Sequence, residues 1–209
     1  MAPPGSVVVH AGDTVLRSSA SGMIVDDAQG LYDFDTRILS RHRLTVAGQE
    51  PELVSSGQPE SDTWWAVLTV PRSGGDARGR LLPQDALEVR LSRQLGRGLR
   101  EEITVQNHSG APWAGDMVLD LDGDFADSAE VGRGRRQVGT LDRRWEPDDR
   151  SLCIAYAAKR ESRRLTRALR VPGSGGRKPS MSARSQTRRL DQAVTHALGK
   201  AGTRPGGSA

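Results

Sequence analysis

Short apolar runs, separated by turn-forming residues about every 8–12 positions, fill the chain from residue 6 to residue 171. Apolar and polar side chains alternate within residues 87–92, and residues 117–122 keep the same period with one exception. A period of two indicates strands with one buried face and one solvated face. No window before residue 170 keeps a helical period. The pattern therefore predicts an all-β fold, either a sandwich or a barrel.

The predicted strands cover residues 7–10, 14–17, 22–25, 38–46, 52–56, 63–70, 86–94, 99–106, 117–125, 152–157 and 165–171. Tight turns need backbone conformations that glycine adopts without steric cost. The GRG sequence at residues 96–98 is therefore expected to close a hairpin between the two longest strands. The AGQ sequence at residues 47–49 is expected to close another.

The composition changes after residue 171, where the chain has no aromatic residue and few large aliphatic ones. Such a segment cannot bury enough apolar surface to offset an ordering cost of about 1–2 kcal/mol per residue for the backbone alone. We expect residues 6–171 to form one domain and residues 172–209 to be a disordered basic tail. Residues 190–198 are amphipathic, but a helix this short is expected to form only transiently.

The chain contains one cysteine, Cys153, which excludes an internal disulfide and a zinc site built from several thiolates. Its start lacks the basic and apolar regions of a secretory signal, and no stretch approaches the roughly 20 apolar residues of a membrane span. These features predict a cytoplasmic protein. The sequence has no G-x-S-x-G, Walker A or H-E-x-x-H motif. No catalytic residue and no cofactor are therefore predicted.

An acidic run, DLDGDFAD, suggests a calcium loop through Asp120, Asp122, Asp124 and Asp127. An EF-hand loop requires glycine at its sixth position and glutamate at its twelfth. Counted from Asp120, the glycine here is fourth and Glu130 is eleventh. The favoured interpretation is a strand with a solvated acidic face that runs into a turn, with no metal site.

Charge is distributed unevenly: residues 1–132 carry 11 Lys and Arg against 20 Asp and Glu, whereas residues 133–209 carry 19 against 6. Basic clusters lie at residues 133–136 and 159–164 and in the tail. Binding of nucleic acid usually needs aromatic side chains beside such clusters, and none accompanies them closely. Solvated turns and a charged tail are the favoured interpretation. Binding of nucleic acid or another acidic partner by the basic C-terminal third is the alternative.

Two adjacent indoles, Trp64 and Trp65, fall on the predicted strand at residues 63–70. Neighbouring residues of a strand point to opposite faces, so one indole is expected in the core and the other on the outer face. An exposed indole can stack on a sugar ring or anchor an interface. Packing under a neighbouring loop is the alternative.

Three sequence blocks, GLYDFDTRILSRHRLTVAGQEPELVSS, LREEITVQNHSG and GDFADSAEVGRGRR, occur in this order. Together they resemble the N-terminal domain of bacterial and archaeal glycogen-debranching (amylo-α-1,6-glucosidase) enzymes, over about residues 7–171. The matched signature positions are Gly30, Leu31, Tyr32, Asp35, Thr36, Arg37, Leu39, Ser40, Arg41, Asp124, Phe125, Ala126, Asp127, Glu130 and Val131. The chain departs from the pattern at Ala129, where the family has Phe, and at Gly132-Arg133, whose order is reversed.

The resemblance implies that the all-β fold is an antiparallel β-sandwich, and it implies a structural or domain-interface role for the signature residues. Asp35 is expected to form an ion pair with Arg37 or Arg41 that fixes a turn. Family members place this sandwich ahead of an α/α barrel that carries the catalytic acids, and the present sequence lacks that barrel. We therefore expect a truncated, non-catalytic domain that positions or binds carbohydrate. Its expected partners are α-glucan, through Trp64 or Trp65, and a separately encoded catalytic barrel.

Overall fold

A computed structural model of the chain describes residues 5–71, 82–96, 98–111, 113, 115–131, 139–146, 151–160, 163–172 and 187–200. The strands are β1 (Ser6–Ala11), β2 (Thr14–Ser19), β3 (Gly30–Asp33), β4 (Thr36–Leu39), β5 (Arg41–Val46), β6 (Glu52–Gly57), β7 (Thr63–Val70), β8 (Leu87–Leu95), β9 (Gly98–Asn107), β10 (Met117–Asp122), β11 (Ala126–Asp127), β12 (Gly139–Glu146), β13 (Ser151–Arg160), β14 (Arg163–Pro172) and β15 (Thr187–Lys200). These described ranges contain no helix, and so none long and apolar enough to cross a membrane.

The strands form three antiparallel sheets. One sheet has the order β1-β2-β3-β4-β11, a second has the order β12-β13-β14-β15-β9-β8-β7-β6, and β5 pairs with β10. Apolar side chains from all three sheets meet in one hydrophobic core. The prediction of an all-β, antiparallel sandwich is confirmed.

The period of two in the sequence appears directly as alternating burial along β7, β8 and β9. In β7 the buried residues are Trp64, Ala66, Leu68 and Val70. The predicted GRG hairpin is also confirmed, since Leu95 and Leu99 are register partners at the end of β8 and β9. The backbone N–H of Gly96 donates to the carbonyl of Gly98 at 2.9 Å across this turn.

The strand predicted at residues 38–46 is divided in the structure, because the chain changes sheets at Ser40. The Ser40 N–H donates to the carbonyl of Asp122 at 2.8 Å. On one side of Ser40, β4 pairs with β3 and β11, and on the other side β5 pairs with β10. The AGQ turn forms with Ala47 and Gly48 both at positive φ, but β6 then pairs with β7 and not with β5. The predicted strand at residues 22–25 is reduced to a bridge between Ile24 and His42.

Beyond residue 171 the structure describes β15, paired on one side with β9 and on the other with β14. A strand over this segment corrects the transient helix considered for residues 190–198, because backbone pairing with two neighbours satisfies its donors and acceptors. Residues 173–186 and 201–209 lie outside the described residues. Disorder of the chain from residue 172 and the boundary at 171 stay predictions, which limited proteolysis would test.

Candidate functional site

Arg37 on β4 and Asp124, both signature residues, form a bidentate ion pair. Arg37 Nη2 donates to Asp124 Oδ2 at 2.6 Å, and Nε donates to Oδ1 at 3.2 Å. The remaining nitrogen, Nη1, donates to the carbonyls of Asp27 and Gln29. Burial alone would lower the pKa of Arg37, but hydrogen bonding and the charge of Asp124 raise it above its ordinary value. The guanidinium therefore joins β4, the loop before β3 and the segment after β10.

Gly30 at the start of β3 is part of the same arrangement. A Cβ placed on Gly30 would lie 2.5 Å from Cδ and 2.8 Å from Cγ of Arg37, and the glycine has φ +154. The absence of a side chain therefore leaves the space through which Arg37 reaches Asp124. Two separate signature blocks, around Arg37 and around Asp124, thus meet in space.

The expected ion pair of Asp35 with Arg37 or Arg41 is wrong. Arg37 is directed away from the β3–β4 turn to Asp124, and Arg41 pairs with Asp120 at 3.4 Å between exposed side chains. Asp35 is exposed in the turn and fixes it through the backbone, where its carbonyl accepts the Ser128 N–H at 2.7 Å.

The DFAD block forms a tight turn that packs against the core. Phe125 has φ 52, and its buried ring stacks on Tyr156 with centroids 6.0 Å apart. Asp127 is the register partner of Thr36 and accepts the Ala129 N–H at 2.9 Å. Glu130 accepts the Asp127 N–H at 3.3 Å. Tyr32, also buried, lies under the guanidinium of Arg17, and its hydroxyl donates to the carbonyl of Ala28. Each of these signature residues therefore makes contacts within the domain.

Three of the four carboxylates of the acidic run, those of Asp120, Asp122 and Asp124, have arginine partners. The two carboxylate oxygens of Asp122 accept hydrogen bonds from Nε and Nη2 of Arg143, at 2.7 and 3.0 Å. Hydrogen bonding to Asp122 raises the pKa of Arg143. Across the described ranges, no group of three or more His, Cys, Asp or Glu side chains is arranged to hold a metal ion.

Trp64 and Trp65 lie on opposite faces of β7, as the pleat predicts. Trp64 is 2% exposed and Trp65 is 39% exposed. Inside, the guanidinium of Arg93 lies over the Trp64 ring, with Cζ 5.2 Å from the centroid. The two indoles therefore have different roles, and only Trp65 is available to a ligand.

One edge of the Trp65 indole lies close to Gly57, its register partner on β6. A Cβ on Gly57 would be 2.9 Å from each of Cε2, Cζ2 and Nε1 of the indole. The absence of a side chain on Gly57 therefore leaves room for an indole whose surface is partly open to solvent.

Polar side chains surround this indole on the outer face of the sheet. Ser92 on β8 is the register partner of Trp65, and Glu102 on β9 is the partner of Ser92. Two residues farther along β8, Gln94 is exposed and is the register partner of Thr63 on β7. We call Trp65, Gly57, Ser92, Gln94 and Glu102 the indole platform. Hydroxyl, amide and carboxylate groups can bind sugar hydroxyls, and an exposed indole beside them can stack on a sugar ring.

A buried charged cluster lies on the inner side of this sheet, where Arg93 of β8 and Glu101 of β9 meet His42 of β5. Glu101 Oε1 is 2.7 Å from His42 Nε2, and Arg93 Nε donates to Glu101 Oε2 at 2.5 Å. Burial tends to raise the pKa of Glu101, but the Arg93 and His42 charges and hydrogen bonds lower it to about 2. These three residues were not predicted from the sequence to come together. The sequence does contain one sign of the cluster, because Arg93 occupies the same alternate positions of β8 as the buried apolar residues.

The basic clusters fall partly outside the residues that the structure describes. Residues 133–136 and 177–178 lie outside the described residues, whereas residues 159–160 and 163–164 end β13 and begin β14. Binding of nucleic acid by this third of the chain stays an untested alternative.

A comparison with family models matches residues 9–186 to the N-terminal domain of some glycogen debranching enzymes. No curated protein matches the chain. The matched range includes both signature blocks, the buried charged cluster and the indole platform, and it extends past residue 171.

Proposed function

Because the chain belongs to the family of N-terminal domains of glycogen debranching enzymes, we propose that it is a non-catalytic domain that binds α-glucan. In this proposal it holds the glucan for a catalytic barrel carried by a separate polypeptide, in the cytoplasm. The indole platform is the binding surface. The signature residues keep the sandwich rigid beneath it.

The observation that carries the proposal is the position of Trp65. An indole that packs along Gly57 and is partly open to solvent presents a flat surface on which a sugar ring can stack. Because β7 and β8 are paired residue by residue beside Trp65, the backbone places Ser92 and Gln94 next to the indole on the same face. These groups can accept or donate hydrogen bonds to glucose hydroxyls.

The described carboxylates support a binding role and not a hydrolytic one. A general acid in a glycosidase needs a raised pKa. The pKa of Glu101 is lowered, and its carboxylate is enclosed between Arg93 and His42. Asp122 and Asp124 are each held by an arginine.

Titration calorimetry with maltoheptaose and affinity electrophoresis in glycogen test the proposal. Trp65→Ala should weaken binding at least about tenfold, the loss typical of a central aromatic contact. Trp145→Ala is the matched control, because it removes an exposed indole from a different strand. Equal affinities of wild type and Trp65→Ala, or no binding by the wild type, would contradict the proposal.

Ionic strength distinguishes this function from the alternative one. Glucan is uncharged, so its affinity should stay the same when salt is raised. Binding of nucleic acid by the basic third would weaken steeply, because phosphate contacts release counterions. Fluorescence anisotropy with a labelled single-stranded oligonucleotide provides the second measurement.

A further inference from the structure

The acidic run contains the only Asp-Gly dipeptide of the chain, Asp122-Gly123, and the chain has no Asn-Gly dipeptide. The backbone nitrogen that follows an aspartate can attack the side-chain carboxyl carbon of that aspartate. Glycine favours this attack, because it has no side chain to obstruct the approach and its backbone adopts many conformations. Asp122 is the last residue of β10, so the dipeptide lies where the strand ends.

The fold holds the two reacting groups side by side. The Gly123 N–H donates to Asp122 Oδ1 at 2.8 Å, so the carboxyl group is turned toward the amide that follows it. Proximity of this kind removes much of the entropy cost of a reaction within one chain. No other residue fits at position 123, because a Cβ on Gly123 would be 2.5 Å from the carbonyl oxygen of Ile38.

Arg143 on β12 restrains the same carboxyl group. Its Nε donates to Asp122 Oδ1 at 2.7 Å and its Nη2 donates to Oδ2 at 3.0 Å, so both oxygens are bound. A bidentate contact fixes the plane of the carboxyl group as well as its position. Attack on the carboxyl carbon comes from the face of the group, which must rotate to present that face to the nitrogen. The two hydrogen bonds to Arg143 must therefore break before the reaction can begin.

The backbone of Asp122 also holds the junction between two sheets. Its carbonyl accepts the Ser40 N–H at 2.8 Å and the Ser40 hydroxyl at 3.3 Å, where the chain passes from β4 to β5. A reaction that reroutes the backbone through the Asp122 side chain would insert one methylene group at this junction. The close contact between Gly123 and Ile38 leaves no room for a longer backbone.

We propose that Asp122 is a site of spontaneous isomerisation to isoaspartate and that Arg143 sets the rate. The Gly123 nitrogen forms a bond to Asp122 Cγ. One carboxyl oxygen leaves as water, with the proton of that nitrogen and one proton from solvent, and a succinimide ring results.

Water then opens the ring in one of two ways. Cleavage of the bond between the nitrogen and Cγ restores aspartate. Cleavage of the bond between the nitrogen and the original backbone carbonyl carbon leaves isoaspartate, with that carbon in the new carboxylate. Water is the only co-reactant. Isomerisation at Asp122 is independent of glucan binding, because no residue of the indole platform takes part in it.

Incubation of the full chain at neutral pH and body temperature tests the proposal, with isoaspartate located by peptide mapping and electron-transfer fragmentation. Arg143→Gln should form isoaspartate at residue 122 about tenfold faster than the wild type, a factor that corresponds to about 1.4 kcal/mol in the activation barrier. Arg144→Gln is the matched control, because Arg144 is the next residue of β12 and pairs with Asp142. It should form isoaspartate at the wild-type rate.

Two further measurements separate the contact with Arg143 from a general loss of stability. In concentrated guanidinium chloride the contact no longer exists, so wild type and Arg143→Gln should form isoaspartate at the same rate. Trp64→Ala removes a core side chain that does not bind Asp122, and under conditions where both variants are folded it should react more slowly than Arg143→Gln.

The proposal would be overturned by equal rates for folded wild type and folded Arg143→Gln. It would also be overturned if Trp64→Ala reacted as fast as Arg143→Gln, since local restraint of the carboxyl group would then have no effect of its own. Isoaspartate that accumulates at other residues of Arg143→Gln and not at Asp122 would have the same consequence.

Discussion

Arg93 and Glu101 face each other across β8 and β9, with Nε and Oε2 2.5 Å apart and both side chains at most 2% exposed. A buried ion pair stabilises a protein less than its attraction suggests, because both charges lose water. Here His42 and the Trp64 ring supply additional contacts. The core therefore depends on each partner being present.

We expect Glu101 to make stability dependent on pH. Its pKa is about 2 in the folded protein against an ordinary value of 4.5. A lowered pKa stabilises the fold fully above the unfolded value, and this contribution is lost as the pH falls from about 4.5 toward 2. The difference in unfolding free energy between wild type and Glu101→Gln, measured by urea denaturation from pH 7 to pH 3, should shrink in that window. A difference that is constant with pH would contradict this prediction.

Removal of one partner of the buried pair should cost more than removal of both. Arg93→Met leaves Glu101 buried without its cation, with an expected cost of about 3–5 kcal/mol. The double variant Arg93→Met/Glu101→Leu should recover part of that loss, because no charge is left unpaired. The exposed pair of Arg43 and Glu50 is the control, and Glu50→Gln should change stability by about 0–1 kcal/mol. A double variant less stable than Arg93→Met would contradict this reasoning.

The strands with a clear period were predictable, and the polar contacts between distant segments were not. Strand β7 occupies the predicted residues 63–70, because alternation alone determines which face is buried. The partner of Arg37 was missed because Asp124 is 87 residues away, whereas Asp35 is adjacent in the sequence. The change of sheets at Ser40 was missed because the apolar pattern continues through it. Arg93 and Glu101 were missed because charged residues are rarely fully buried unless paired, and pairing is a tertiary property.

The two tryptophans should differ in their contribution to stability. Trp64→Ala removes a buried indole under Arg93 and should cost about 3–5 kcal/mol. Trp65→Ala removes an indole from the outer face and should cost much less. Thermal or urea unfolding of both variants measures the difference, and equal large losses would mean that Trp65 is held as a core residue and not as a platform.

Arg37 should be far more important to the fold than Arg41, although both belong to the signature. Arg37→Ala leaves Asp124 and two backbone carbonyls without their donor, which should cost about 3–5 kcal/mol. Arg41→Ala breaks a pair between exposed side chains and should cost about 0–1 kcal/mol. Arg37→Lys should recover only part of the loss, because an ammonium cannot make the two-pronged contact. Equal unfolding midpoints for Arg37→Ala and Arg41→Ala would contradict this assignment.

The purified chain should not hydrolyse α-1,6 or α-1,4 glucosidic bonds. Hydrolysis needs two carboxyl groups about 5–5.5 Å apart for retention, or about 6.5–9.5 Å apart for inversion, on rigid elements that flank the bond. One of the two must be protonated near neutral pH, which requires burial without a cation. Among the described residues, the buried carboxylate of Glu101 has a lowered pKa because Arg93 and His42 enclose it.

Asp122 and Asp124 form ion pairs with Arg143 and Arg37. Release of glucose from branched limit dextrin measures the activity, with mass spectrometry of the preparation to exclude a contaminating enzyme. Glu101→Gln alone is an unsuitable probe, because it disturbs the core. Replacement of the exposed Asp35 and Asp127 provides the comparison. Glucose release that disappears when one named carboxylate is replaced, in a variant that still unfolds like the wild type, would show that the domain is catalytic.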